Sequence, residues 1–170
     1  EIRAMASAEQ AKGLPVFLNA DHTYSIPASV EAIDHKFDSL IIDGAEKPFA
    51  ENVAMTREVV RYARDNHPTM LIEGELGFIG KSSTLLDKVP EKVSVETQTT
   101  PENAAEFVKL TGVDLFAPSV GNIHGLIRSG EPALNIELIK AIRAAVSVPL
   151  VLHGASGNSD EEVWEAIKAG

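Results

Sequence analysis

A chain of 170 residues, 44% hydrophobic and 24% charged, has the make-up of one ordinary globular domain. Fifteen basic against twenty-five acidic residues leave a net charge of −10, which argues against nucleic acid as the main partner, because that binding rests on neutralising phosphates. No cysteine is present, so disulfide scaffolds and thiolate metal sites are excluded, and no apolar run approaches the roughly 18 residues of a membrane span. The opening Glu1-Ile-Arg-Ala-Met5 lacks the charged-then-apolar plan of a signal peptide, and a cytoplasmic location is expected.

In chain order, the pattern predicts a helix over Ile2–Lys12, a buried strand over Pro15–Asn19 and a helix ending at His35. A second strand, Ser39–Ile42, precedes a helix over Ala50–Arg64 that sets Val53, Val60 and Ala63 among charged residues at helical spacing. A third strand, Met70–Ile72, leads into an irregular stretch, Gly77–Thr99, long enough to be read as a mobile functional loop. Then come helix Ala104–Leu110, strand Val113–Ala117, helix Glu137–Ala145, strand Val148–Leu152 and helix Glu161–Ala169.

Three of these helices carry start signals. Thr100-Pro101-Glu102 sets a capping hydroxyl before a proline at the first helical position. Asn135 is placed to cap the helix containing Leu138 and Ile142, and Ser159-Asp-Glu-Glu162 has the form of a capping box.

Alternating strands and helices imply an α/β fold with a parallel sheet covered by helices. Five βα repeats of roughly 30 residues fall short of the roughly 250 that an eight-unit barrel needs. Both ends read as cut, so residues 1–170 are expected to form a single domain that is an incomplete barrel. A complete five-stranded doubly wound sheet fits the same length. Pattern alone leaves both open.

The residues of unusual chemistry fall just after predicted strands. Asp21 and His22 follow the first, Asp43 the second, Glu73 and Glu75 the third, Asn122 and His124 the fourth, and His153-Gly-Ala-Ser-Gly157 the fifth. In barrels and doubly wound sheets alike that end of the sheet is the active face. His35 and His67 read as solvated bystanders. Any one of His22, His124 and His153 is as well explained as a structural histidine. Three on one face suit zinc, with a fourth position left open for substrate, although cobalt, manganese or iron accept the same ligands.

If the strand continues through Asp21, alternation sends its side chain away from His22, near a metal but not on it, as an acid/base requires. A turn-forming aspartate is the plainer reading. Glu73 and Glu75, two apart, share a strand face and could pair with a cation, add a metal ligand or form a polar layer. Gly154-Ala155-Ser156-Gly157 leads into the helix capped by Ser159, a plan that lets backbone amides meet an anion. A second glycine-bracketed loop, Gly121-Asn-Ile-His-Gly125, surrounds His124.

Several pieces stand in a recognisable order. They are Leu18-Asn-Ala-Asp-His22, Ile41-Ile-Asp-Gly44, Pro48-Phe-Ala-Glu-Asn52 and Glu73-Gly-Glu-Leu-Gly77, then Thr111-Gly-Val-Asp114, Gly121-Asn-Ile-His-Gly125 and Pro149-Leu-Val-Leu-His-Gly-Ala-Ser-Gly157. In this order and spacing the chain resembles the class II, zinc-dependent aldolases of fructose and tagatose bisphosphates.

The resemblance implies a TIM (β/α)8 barrel of which this chain holds the third to seventh strands, without the first strands or the last. It implies zinc on His22, His124 and His153, Glu75 as an alternative or outer ligand, and Asp43 near a second, buried divalent-metal position. It further implies Asp21 as acid/base for the C4 hydroxyl proton. Gly125, Gly154, Ala155 and Ser156 would hold the phosphate of dihydroxyacetone phosphate with a monovalent cation. The implied reaction is cleavage of a ketose 1,6-bisphosphate to dihydroxyacetone phosphate and an aldehyde, and the full-length protein is expected to be a homo-oligomer.

Two positions depart from the family. Asn19 stands where a histidine is usual, and Phe78-Ile-Gly-Lys81 stands where paired glycines and acids are usual. That loop should carry the residue that moves a proton on dihydroxyacetone phosphate, with Glu91 and Glu96 as candidates. Two other readings stay open: a related metal-dependent aldolase or epimerase of altered specificity, and a non-catalytic barrel that binds sugar phosphates.

Overall fold

The structure, a computed structural model, describes residues 1–80, 84–90, 93–128 and 132–170. Helices α1 (Ile2–Gln10), α2 (Ile26–Asp34), α3 (Phe49–Asn66), α4 (Pro101–Thr111), α5 (Ile136–Ala145) and α6 (Asp160–Ala169) alternate with strands β1 (Asn19–Thr23), β2 (Ser39–Asp43), β3 (Leu71–Leu76) and β5 (Leu115–Pro118). These four strands lie in one sheet in the order β1-β2-β3-β5, and two short strands, β4 (Leu85–Leu86) and β6 (Leu126–Ile127), form a parallel pair of their own. The chain falls into two compact units, Glu1–Glu75 with Leu110–Leu115 and Leu76–Lys109 with Phe116–Gly170. Among the described residues no helix is long and apolar enough to cross a membrane.

In the first unit β1 pairs with β2 and β2 with β3, both in parallel. Leu40, Ile41 and Ile42 in succession are fully buried, as expected of a strand covered on both faces. They meet Ile33 of α2, Val59 and Ala63 of α3, and Ile72 of β3 in one core, where each buried Ile or Leu contributes about 1.5–3 kcal/mol. Helix α2 begins at Ser25, whose hydroxyl accepts from the Ala28 amide at 3.4 Å, with Pro27 in the first turn, where its missing N–H costs nothing. Asp114 closes the far end of this unit. Its carboxylate takes both 2.8 Å bonds of an Arg64 fork and a third 2.8 Å bond from the Ile72 amide.

The first strand differs from the sequence reading. The apolar run Pro15–Leu18 lies outside it, with Phe17 72% exposed, and the ladder starts only at Asn19, opposite Ser39. Asp21 and His22 therefore lie within β1 and not after it.

In the second unit Phe107 and Phe116 are fully buried with ring centroids 5.7 Å apart, and Ile79, Ile123 and Ile142 are buried as well. The predicted strand Val148–Leu152 is reduced to one bridge, between Phe116 and Leu150. Two backbone bonds, Phe116 N to Pro149 O at 3.1 Å and Val151 N to Phe116 O at 2.9 Å, make that bridge.

The capping signals all operate. The Asn103 amide bonds the Thr100 hydroxyl at 3.2 Å, and the Leu138 amide bonds Asn135 Oδ1 at 3.1 Å. Ser159 and Glu162 form a reciprocal box, with the Glu162 amide on Ser159 Oγ and the Ser159 amide on Glu162 Oε2.

Candidate metal and active site

In the first unit the chemistry gathers at the ends of β1, β2 and β3. The β1–β2 register runs from Ala20 opposite Leu40 to Thr23 opposite Ile42, three steps against two. One extra residue is thus inserted at Asp21-His22, a β-bulge, and His22 takes φ +48° to make room for it. Left-handed backbone is uncommon outside glycine, and bulges re-aim side chains. The simple alternation expected of Asp21 and His22 fails for this reason: His22 Nε2 and Asp21 Oδ1 are 3.9 Å apart. Thr23 fixes the exit of the bulge, donating to the Ile41 carbonyl at 2.6 Å.

His22 faces the carboxylates of the neighbouring strands. Its Nδ1 is 3.1 Å from Asp43 Oδ2 and 3.8 Å from Glu75 Oε2. With Nδ1–H donated to Asp43, Nε2 is the ring nitrogen whose lone pair suits a metal. The hydrogen bond to Asp43 raises the His22 pKa above the ordinary imidazole value against the opposing effect of burial, and the charges of Asp43, Asp21 and Glu73 add to it.

Asp43 is held from its other side by the Ala45 amide, which donates to Oδ1 at 3.0 Å. Glu73 and Glu75 share the buried strand face that their spacing predicts. Burial pushes the Glu75 carboxyl up to about 9, and the charges of Asp43, Glu73 and Asp21 push the same way. Glu75 Oε2 is buried with no hydrogen-bond partner. A buried carboxylate in that state calls for a proton or a cation.

His22, Asp43 and Glu75 offer one nitrogen and two oxygens, all within 4.8 Å of one another. That donor set fits zinc or another divalent ion of the same class. Asp21 stands beside it with 72% of its side chain exposed, so a solute can reach it.

In the second unit the two remaining histidines are neighbours. The rings of His124 and His153 lie 5.9 Å apart, brought together by two loops that lock into each other. Asn122, fully buried, accepts from the Val120 amide at 2.8 Å and donates to the His153 carbonyl at 2.8 Å. The Ile123 amide adds a bond to the Gly154 carbonyl. Gly154 has φ +67°, and a Cβ there would lie 2.6 Å from the Ile123 carbonyl carbon and 2.8 Å from the His124 nitrogen.

Gly125, at φ +117°, ends the first loop, and Ala155 and Ser156 follow in the second. The helix behind them is less inviting to an anion than its position suggests. The first turn of α6 holds Asp160, Glu161 and Glu162 and spends its capping on its own Ser159–Glu162 box. Anion contacts here would have to come from the loop.

Of the two loop acids, Glu96 is exposed on a 3-10 turn, Val95–Thr97, where a hydrogen bond with Ser94 lowers its pKa. Glu91 lies outside the described residues. His35 and His67 are the bystanders expected of them: each stands at a helix C-terminus, and His35 Nδ1 is 2.7 Å from the Glu31 carbonyl. Asn52 is a residue whose place the sequence reading missed. It lies on the buried stripe of α3, and its amide donates to the Glu75 carbonyl at 2.9 Å.

A sequence profile described as fructose-bisphosphate aldolase class-II matches residues 1–170. The chain belongs to the class II fructose-bisphosphate aldolase family. Among its relatives, the 6-phospho-5-dehydro-2-deoxy-D-gluconate aldolase of Shouchella clausii is 40% identical over 157 residues, covering 92% of this chain and 50% of that protein. A fructose-bisphosphate aldolase of Staphylococcus epidermidis is 38% identical over 157 residues, covering 92% of this chain and 52% of the relative. The crystal structure of the YdjI aldolase from Escherichia coli K12 matches with a TM-score of 0.80 at 38% identity, over 99% of this chain and 56% of the other. The chain thus spans about half the length of the curated relatives it matches. Its strands and helices are those of a class II aldolase barrel, and the doubly wound alternative is set aside.

Proposed function

We propose that this chain carries the central catalytic part of a metal-dependent aldol lyase. It would cleave a ketose 1,6-bisphosphate of the fructose or tagatose type into dihydroxyacetone phosphate and an aldehyde. The observation that carries the reading is the seating of His22 between two buried carboxylates with an exposed Asp21 beside it on one bulge. Family membership supports it.

On this reading His22, His124 and His153 hold zinc, Glu75 is an alternative or outer ligand, and Asp43 orients His22 beside a buried position for a second divalent ion. A divalent metal bound there supplies Lewis-acid stabilisation of negative charge on a substrate oxygen. Asp21 takes the proton of the C4 hydroxyl. As the C4 carbonyl forms, the C3–C4 bond breaks and its electron pair stays on the dihydroxyacetone phosphate half. A proton delivered to C3 completes that product, and Glu96 is the described loop acid able to supply it, with Glu91 the other candidate. Gly125, Gly154, Ala155 and Ser156 receive the phosphate through their loop amides, with a monovalent cation beside it. The protein acts on small sugar phosphates in the cytoplasm as a homo-oligomer.

A second substrate deserves a place in the test. The Shouchella relative is named for a sugar acid with one phosphate, and Asn19, where the family usually has histidine, bonds Ser39 instead, accepting at 2.8 Å. The experiment is aldol cleavage by the full-length protein of fructose 1,6-bisphosphate, tagatose 1,6-bisphosphate and 6-phospho-5-dehydro-2-deoxy-D-gluconate, before and after chelation and with zinc restored. Chelator-sensitive turnover of a bisphosphate supports the reading. Turnover of the sugar acid alone shifts the substrate, chelator-resistant turnover removes the metal, and no turnover leaves a binding role.

A further inference from the structure

Helix α3 buries a stripe that includes Asn52, Thr56, Val59 and Ala63, and the first two are polar side chains with no exposure at all. An apolar residue would fill the space of Asn52 without the cost of burying an amide, so its hydrogen bonds have to account for it. The amide nitrogen donates to the main-chain carbonyl of Glu75 at 2.9 Å, an oxygen that can only accept. This fixes which way the amide faces. Oδ1 then accepts from the Thr56 hydroxyl at 3.1 Å.

The same side chain meets the neighbouring strand. Gly44 directly follows Asp43, and a Cβ on it would lie 2.3 Å from Asn52 Oδ1 and 2.6 Å from Asn52 Cγ. The backbone after Asp43 is therefore pressed against the amide that bonds Glu75. The β2–β3 register ends at the Asp43–Glu75 pair, and Asn52 takes up the Glu75 carbonyl at that end.

We infer that Asn52 is a positioning residue for the Asp43–Glu75 carboxylate pair, bracing both strand ends through one amide that Thr56 holds in orientation. The inference rests on the reading of His22, Asp43 and Glu75 as a divalent-metal site. Partners that orient metal ligands typically change metal affinity about 10–100-fold when removed.

The test is a Co2+ titration of the full-length protein, read by the visible absorption of the bound ion, for wild type, Asn52→Leu, Thr56→Val and Thr56→Ser. Near-UV circular dichroism first establishes that each is folded. The expected result is about tenfold or greater loss of Co2+ affinity in Asn52→Leu with an altered spectrum at saturation. Thr56→Val should show a smaller change in the same direction, and Thr56→Ser should restore wild-type behaviour. A folded Asn52→Leu with wild-type affinity and spectrum overturns the inference. Should Asn52→Leu not fold, wild-type affinity and spectrum in Thr56→Val overturn it equally. A wild-type protein that binds no Co2+ sinks the metal reading itself and takes this inference with it, a result distinct from both.

Discussion

Asp43 and Glu75 stand opposite each other on neighbouring parallel strands, as the last registered pair of β2 and β3. Both side chains are buried, and like charges so placed repel. The molecule holds them together only with a proton or a cation between them.

The first prediction concerns pH. Glu75 is pushed up to about 9 in the folded chain from 4.5. Between those values the folded state keeps a proton that the unfolded state has released, so stability must fall as pH rises through that window. His22, also raised, adds stability that is lost in the same direction. Metal-stripped full-length protein should therefore show a urea midpoint that drops between about pH 5.5 and about pH 8.5, with a flatter profile in Glu75→Gln. A midpoint that climbs over this range would refute the assignment.

Asp21 is predicted to act in the chemistry and not in holding the metal. Asp21→Asn should lower kcat by about 10²–10⁴-fold while metal content, measured by atomic absorption, stays at the wild-type level. Loss of metal along with activity would make Asp21 a ligand instead.

Gly154 separates steric need from ordinary turn strain. A Cβ there meets backbone of residues 123 and 124, whereas Gly13, also at positive φ, has nothing within 4 Å of the same added atom. Gly13→Ala should cost about 1–2 kcal/mol from the left-handed backbone alone. Gly154→Ala should cost about 1–3 kcal/mol more by denaturant unfolding, because the facing loop has to move. Equal costs would mean that the two loops are not in contact.

Ser159→Ala tests the cap of α6. It removes the acceptor for the Glu162 amide and should cost about 1 kcal/mol in urea unfolding, with Ser159→Asp close to wild type. An unchanged midpoint in the alanine variant would count against the cap.

What the sequence revealed follows from the kind of signal each element carries. Helices α3 to α6 were legible because period and caps agree; Thr100, Asn135 and Ser159 mark their starts by side-chain chemistry that needs no tertiary partner. Strand β2 was legible because three consecutive buried aliphatics admit little else. The run Pro15–Leu18 misled because it is apolar yet largely exposed, and hydrophobicity stands in for burial only on average.

Strands of two residues, like β4 and β6, are too short to show any period. The bulge at His22 was invisible for a stricter reason: alternation assumes an unbroken ladder, and the inserted residue shows only against the register of β2. Asn52 did leave a trace, since it falls on the apolar stripe of α3, where a polar residue needs a reason.

The interlocked loops of the second unit have a consequence for ligand capture. Asn122 grips the carbonyl of His153, and Ile123 grips that of Gly154, so His124 and His153 form a pincer whose jaws are set when the chain folds. An incoming ion need not freeze two wandering side-chain supports. The entropy of bringing them together is settled during folding, and association can proceed at the speed of the ion's own dehydration.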